Sequence, residues 1–317
     1  MVISSIEKRY RFSSTAASMI VAVFDLSVTV SVIFISYFGH KSHKPRWLGI
    51  GLIIQGIGAF IFALPQFIFG EYEVGSNSQL RFESCDNTDA LFSSCNPANN
   101  IAYGLFILGN AFVGIGAAPL FTIGTSFIDD IVHPKYVSLH LGLFYTTSVV
   151  GPAIGYGLGG AFLTMYVDPW HTTHLEQTDP GWVGAWWLCF MFAGVASLIS
   201  SVPFLMYPRQ LQDTHLVQEA RRKEMASTYT SKYNDERSLL VQLKTFPTHM
   251  MKLFHNASYV FITLGVSVIF FSLDGMVSFG PKYIESVYSV PASTASILVG
   301  AVGMIQNMLI NCLVITR

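Results

Sequence analysis

Residues 183–207 read VGAWWLCFMFAGVASLISSVPFLMY, 25 consecutive positions without an Asp, Glu, Lys or Arg. At about 1.5 Å of rise per residue, a helix of that length exceeds the ~30 Å hydrocarbon core of a bilayer. Similar runs lie at roughly 16–39, 47–70, 101–125, 137–166, 259–280 and 292–316. Lipid leaves backbone amides and carbonyls no water to bond, so only helices and closed barrels cross it. These runs are too long and too continuously apolar for the alternation of barrel strands. The reading is an all-α polytopic membrane protein of about seven spans, with the lipid bilayer as its first partner.

Composition agrees. Of 317 residues, 51% are hydrophobic and only 12% charged, where a soluble domain carries about 25% charge. The opening MVISSIEKRYRFSS has charges but no apolar core behind them, so it is not a signal peptide. It reads as the tail of a loop, and both ends give the chain the look of a fragment.

Basic residues orient the spans. One set of alternating loops holds Lys41, Lys44, Arg46 and Lys135, together with eight basic residues in 208–258. With Arg317 this side has 13 of the 18 Lys and Arg, and the opposite side has 5. The richer side is read as cytoplasmic, which puts the start of the chain outside. The outer 71–100 loop carries Cys85 and Cys95, and an exterior compartment permits a disulfide there, with other partners left open. Cys189 and Cys312 read as buried small hydrophobes. The 208–258 stretch reads as a solvated connector between two parts of a bundle, or as a peptide- or lipid-binding loop.

Residues that carry function are sought where polar groups meet these runs. Trp182, Trp186 and Trp187 stand where charge gives out, as indoles do when they anchor a span at headgroup depth. Gly151, Gly155 and Gly159, spaced four apart, let a neighbouring helix approach or slide, and Pro152 adds a local kink. Arg46 or Lys44, in the tight inner turn, is placed to pair with Asp129 and Asp130 as a latch, although basic inner turns also arise from topology alone. Charges inside apolar runs are site candidates by default. Asp25 lies half-way down the first run, and a carboxylate there costs about 2.5–3.5 kcal/mol unless it faces a cavity or a partner. Asp274 is buried in sequence in the sixth run. Lys282, at the outer end of that run, is placed to attract anions or to anchor the interface, and Tyr145 is a candidate either for the lining of a path or for core packing. No catalytic, metal-ligating or phosphate-cradling set is expected, hence no cofactor, no enzyme and no nucleic-acid partner.

The run DPGWVGAWWLCFM at 179–191 resembles a signature of the organic anion transporting polypeptides, a branch of the major facilitator superfamily. Asp179, Trp182, Val183, Gly184, Ala185, Trp186, Trp187 and Phe190 fit it, while Gly181 stands where the family has an arginine. IEKRYRFSS, ISYFGHKSHKPRWLGIG, FALPQFIFG, FILGNAFVGIGAAP, SFIDDIVHPKY, YPRQL and FGPKYIE are similar to the family in the same order. The resemblance implies a partial major facilitator helical bundle matching the second to eighth of twelve spans. Residues 1–207 would be the remainder of an N-terminal bundle, 208–258 a cytoplasmic connecting loop, and 259–317 the start of a C-terminal bundle. It implies sodium-independent transport of small amphipathic organic anions across the plasma membrane by alternating access, coupled to a counter-anion or to a gradient. Bile salts, steroid conjugates, hormones and eicosanoids are the implied class. Val113 and Gln66 replace an arginine and a histidine common in the family, so three positions of actual or potential positive charge are neutral here. The rivals are a seven-span receptor and a non-transporting fragment that associates with a full-length carrier.

Overall fold

The computed structural model describes residues 2–39, 43–69, 97–170, 177, 179, 181–208, 251 and 254–315. They form eight helices: α1 (Ile3–Tyr10), α2 (Ser14–Gly39), α3 (Lys44–Ile68), α4 (Pro97–Ile131), α5 (Pro134–Leu163), α6 (Trp186–Met206), α7 (Ala257–Tyr288) and α8 (Ala292–Ile315). Six of these, α2 to α7, are long and apolar enough to cross a membrane. The seventh expected span is the helix α8, which is apolar over Ala292–Gly303, short of a full crossing among the described side chains. The surface fits lipid. Leu26, Ile33 and Phe34 of α2 and Phe261, Ile262 and Phe271 of α7 are all exposed. A continuous apolar exterior of this kind is unfavourable in water by about 25 cal/mol per Å² and carries no such penalty among acyl chains.

Small residues set the packing, as expected where lipid offers no hydrophobic drive between helices. Gly51 and Gly58 of α3, seven apart, meet Gly116 and Gly109 of α4, also seven apart. A Cβ added at Gly116 would lie 2.5 Å from the Gln55 nitrogen and 2.5 Å from the Gly51 carbonyl oxygen. The two backbones therefore touch directly, and α3 and α4 form the most extensive helix pair, followed by α3 with α6 and α2 with α4. The short amphipathic α1 lies over this group and buries Val2, Ile6 and Tyr10 beside Phe62, Phe106 and Trp186. Helix α5 departs from it and packs chiefly on α8.

The expected disulfide is corrected. No disulfide occurs among the described residues, where Cys189 is a free thiol. Cys85 and Cys95 lie outside the described residues, so the bridge has no support.

Candidate functional site

The tryptophan run is built into a clamp. The chain leaving α5 doubles back so that Tyr166 and Gly184 form an antiparallel bridge. Val167 N–H donates to the Val183 carbonyl at 3.0 Å, and Ala185 N–H donates to the Met165 carbonyl at 2.9 Å. Trp187 Nε1 donates to the Val167 carbonyl at 2.9 Å, and Trp182 Nε1 to that of Leu163 at 3.2 Å. Trp186 is fully buried among Tyr10, Phe62 and Phe106. The headgroup-anchor reading is therefore corrected for Trp186 and Trp187. They fasten the entry of α6 to α1, α3 and α4, because these rings face the protein interior and not lipid. Helix α6 begins only at Trp186, after Ala185. Burial raises the Tyr10 hydroxyl above its ordinary pKa, against the neighbouring Arg9.

Next to this clamp is a cavity of about 400 Å³. Ile6 of α1, Ile20 and Val21 of α2, Phe62 of α3 and Phe190 of α6 form one wall. Pro152, Gly155 and Tyr156 of α5 and Val277 of α7 form the other. Two of its polar groups, Asn110 and Tyr156, have intramolecular partners, and Cys189 and Ser278 also line it. Asn110 Nδ2 donates to the Ile20 carbonyl at 2.6 Å, and Tyr156 Oη donates to the Val277 carbonyl, joining α5 to α7. The glycine stripe divides accordingly. A Cβ at Gly151 or Gly155 would meet nothing within 4 Å, whereas one at Gly160 would lie 2.7 Å from Ile297 of α8. Ala153, Gly159 and Gly160 are buried, and Gly300 of α8 would bring a Cβ to 2.8 Å from Tyr156 Cβ. Close helix contact thus falls on one side of α5, while Gly155 and Pro152 line the cavity on the other.

Two ion pairs stand at the end read as outer, one to two turns beyond Val277 along α7. Lys282 Nζ donates to Glu7 Oε1 at 2.7 Å and to Ser14 Oγ at 3.0 Å. Lys8 Nζ donates to Glu285 Oε1 at 2.9 Å. The arrangement is reciprocal: α1 offers an acid then a base, and α7 a base then an acid. Lys282 was expected as an open anion attractant, but here it is held by a carboxylate. Glu7, Lys8 and helix α1 were missed in the sequence. The alternating EK of the IEKRY run, set against the KYIE of α7, was the only available signal.

Toward the inner end lie Asp25, one turn below Val21, and Asp274, one turn below Val277. Both are exposed, and the two carboxylates are within electrostatic reach of each other. Tyr145 of α5, two turns below Pro152, is also exposed and stacks edge-on with Phe144. At the inner ends of α3 and α4, Lys44 Nζ pairs with Asp130 and donates to Ser126 Oγ at 2.7 Å. The pair forms on Lys44 and not on Arg46, and it joins two helices already locked by their glycines. Gln66 Nε2 donates to the buried Asp168 carboxylate at 2.8 Å. Among the described residues no group of three or more His, Cys, Asp or Glu is placed to hold a metal ion.

Residues 1–314 match the family model described as the Organic Anion Transporter Polypeptide (OATP) family. The chain is 36% identical over 302 residues to the human protein "Solute carrier organic anion transporter family member 4C1", which covers 95% of this chain and 41% of that protein. It is 34% identical over 303 residues to mouse family member 4A1, covering 94% and 42%. Human family member 1B1 is 32% identical over 333 residues, covering 94% and 47%. The chain spans less than half the length of these relatives.

Proposed function

The chain belongs to the organic anion transporter polypeptide family, it is a multi-pass protein of the plasma membrane, and on that premise we propose that it forms the substrate-holding junction of a carrier for amphipathic organic anions. Transport is sodium-independent and proceeds by alternating access, driven by a counter-anion or by a gradient. Residues 1–207 are the remainder of a first major facilitator bundle, 208–258 the cytoplasmic connector, and 259–317 the start of the second bundle.

The observation that carries this reading is the cavity of about 400 Å³ between α1–α4 and α6 on one wall and α5 and α7 on the other. Pockets for drug-sized molecules run from about 300 to 1,000 Å³ and are mostly apolar. The cavity is crossed above by ion pairs that connect α1 to α7, so separating those helices breaks them. Gly151, Pro152 and Gly155 give α5 a smooth face toward the cavity, and the α5–α8 contact gives it a pivot. Lys44 and Asp130 act at the inner end, beside Arg46 and Asp129, and fix α3 to α4 so that the first group moves as one body. Asp25 and Tyr145 line the inner continuation of the path, and Lys282 its outer mouth.

The test is uptake and binding of a fluorescent organic anion, in cells expressing the chain and with the purified chain in lipid nanodiscs, in sodium-free medium. Saturable signal that Val277→Trp abolishes by filling the cavity supports the proposal. Absence of saturable binding and uptake would refute it.

A further inference from the structure

A second recess lies between α2, α3 and α4, toward their inner ends, with a volume of about 270 Å³. Phe34 of α2, Ile50 and Ile54 of α3 and Ile115 of α4 wall it, and the buried Gly51 and Pro119 form its floor. The floor is open because Gly51 has no side chain where α3 meets α4. A Cβ added there would lie 2.8 Å from the Gly116 carbonyl oxygen and 3.0 Å from Pro119 Cγ. The recess opens sideways, since Phe34, Ile50 and Ile115 are exposed. Ile50 and Ile54 lie about 9 and 15 Å along α3 from Lys44. The recess therefore occupies one leaflet's half of the ~30 Å hydrocarbon core.

Its inner mouth is cationic. Arg46 is exposed and stands one turn before Ile50 on the same side of α3. Side chains lean toward the N-terminus of their helix, here toward the inner aqueous face, so the Arg46 stem follows the apolar wall while its guanidinium reaches headgroup depth. Lys44 is engaged by Asp130 and Ser126. Trp47, an indole at the same level, also lines the recess. Helix α3 has neither an acid in its first turn nor a side-chain cap, so its amide end adds to the positive potential.

We infer that this recess holds one acyl chain of an acidic phospholipid of the inner leaflet, phosphatidylserine, with its headgroup on Arg46. The charge pattern matches such a lipid at both ends. The guanidinium pairs with phosphate in a fork, and a headgroup of net negative charge gains over a zwitterionic one. A sterol would offer only a hydroxyl to the same guanidinium. The seated lipid bridges α2 to α3 and α4. This site goes beyond the transport reading and stands without it.

The test uses the purified chain in phosphatidylcholine nanodiscs carrying a trace of diazirine-labelled phosphatidylserine, phosphatidylcholine or cholesterol, with photolabelled peptides mapped after irradiation. Nanodiscs expose both leaflets, so the orientation of the chain does not enter. Signals are divided by those at Phe261 and Phe271, exposed residues of α7 that do not line the recess. Phosphatidylserine should label residues 31–35 and 47–54 about fivefold more than phosphatidylcholine, the gain from one basic side chain at an anionic headgroup. Arg46→Gln should remove that excess and Arg46→Lys should keep most of it. Ile50→Trp, which fills the recess, should lower labelling there by both phospholipids. Equal labelling by the two phospholipids in the parent chain would overturn the inference, as would an excess that survives Arg46→Gln. Cholesterol as the lipid that Ile50→Trp displaces would overturn it too.

Discussion

Reversing the charge of Lys282 should open the outer side of the cavity, and restoring complementarity from Glu7 should close it again. The Lys282 and Glu7 side chains are 29% and 15% exposed, and their charged atoms lie 2.7 Å apart. The gross attraction of unit charges about 4 Å apart in such a half-wet setting is about 4 kcal/mol. Desolvation and lost rotamer freedom cancel most of it, and the net value of a pair this exposed is about 1 kcal/mol. The Lys8–Glu285 pair contributes less, since Lys8 is 39% exposed. Lys282→Glu replaces the attraction with a repulsion of similar size, a swing of about 2 kcal/mol, or about 30-fold in the ratio of open to closed states. Cys189 is a native reporter because it lines the cavity beneath the pairs. In a background where Cys85, Cys95 and Cys312 are serine, a membrane-impermeant thiol reagent applied to intact cells should label Cys189 faster in Lys282→Glu. The rate should rise by a factor of about 30. The swap Glu7→Lys with Lys282→Glu should return the rate to within about threefold of the parent. If the swap labelled as fast as the single variant, or if neither differed from the parent, the ion pairs would not hold the outer side and the reasoning would fail.

The remaining expectations concern packing and charge elsewhere. Gly116→Ala should sharply lower the yield of folded chain, because its Cβ would overlap backbone of α3 at about 1–3 kcal/mol or more. Gly104→Ala, which meets nothing within 4 Å, should leave yield equal or higher; thermal unfolding in detergent checks both. Lys44→Met should destabilise the chain by about 1 kcal/mol and Arg46→Gln by less, since Lys44 holds Asp130 and Ser126; equal effects in the same assay would contradict that assignment. Uptake of an organic anion should change little when the external medium is made mildly acidic, because Gln66, which does not titrate, stands where the resemblance places a histidine and donates to Asp168. A several-fold rise would show that another group senses pH, and Gln66→His should introduce such a rise if the position matters.

The helices were legible in the sequence because hydropathy reports burial in lipid directly. The run at 47–70 corresponds to Lys44–Ile68, and that at 292–316 to Ala292–Ile315. Helices outrun their apolar segments at charged ends: α3 begins at Lys44 and α5 before Lys135, while α4 continues through Asp129 and Asp130, and α7 through Lys282 and Glu285. Hydropathy stops at the first charge, whereas backbone hydrogen bonding continues into water. The Trp run was visible, but its destination was not, since burial of Trp186 depends on α1 folding over α3 and α4. The ion pairs were hidden for the same reason. Glu7 and Lys282 are 275 positions apart, and nothing local distinguishes a paired lysine from an exposed one. Lys44 and Arg46 were equal candidates until the helical phase of α3 turned Lys44 toward Asp130.

The central claim is that the chain crosses the membrane with the Glu7–Lys282 end outside and the Lys44–Asp130 end inside. Single cysteines at Ser289, beside the outer pairs, and at Ser231, in the connector, decide it in a background without the native cysteines. With a membrane-impermeant thiol reagent, Ser289→Cys should be labelled on intact cells and Ser231→Cys only after the membrane is permeabilised. Labelling of Ser231→Cys on intact cells would contradict the orientation, and with it the assignment of the outer ion pairs.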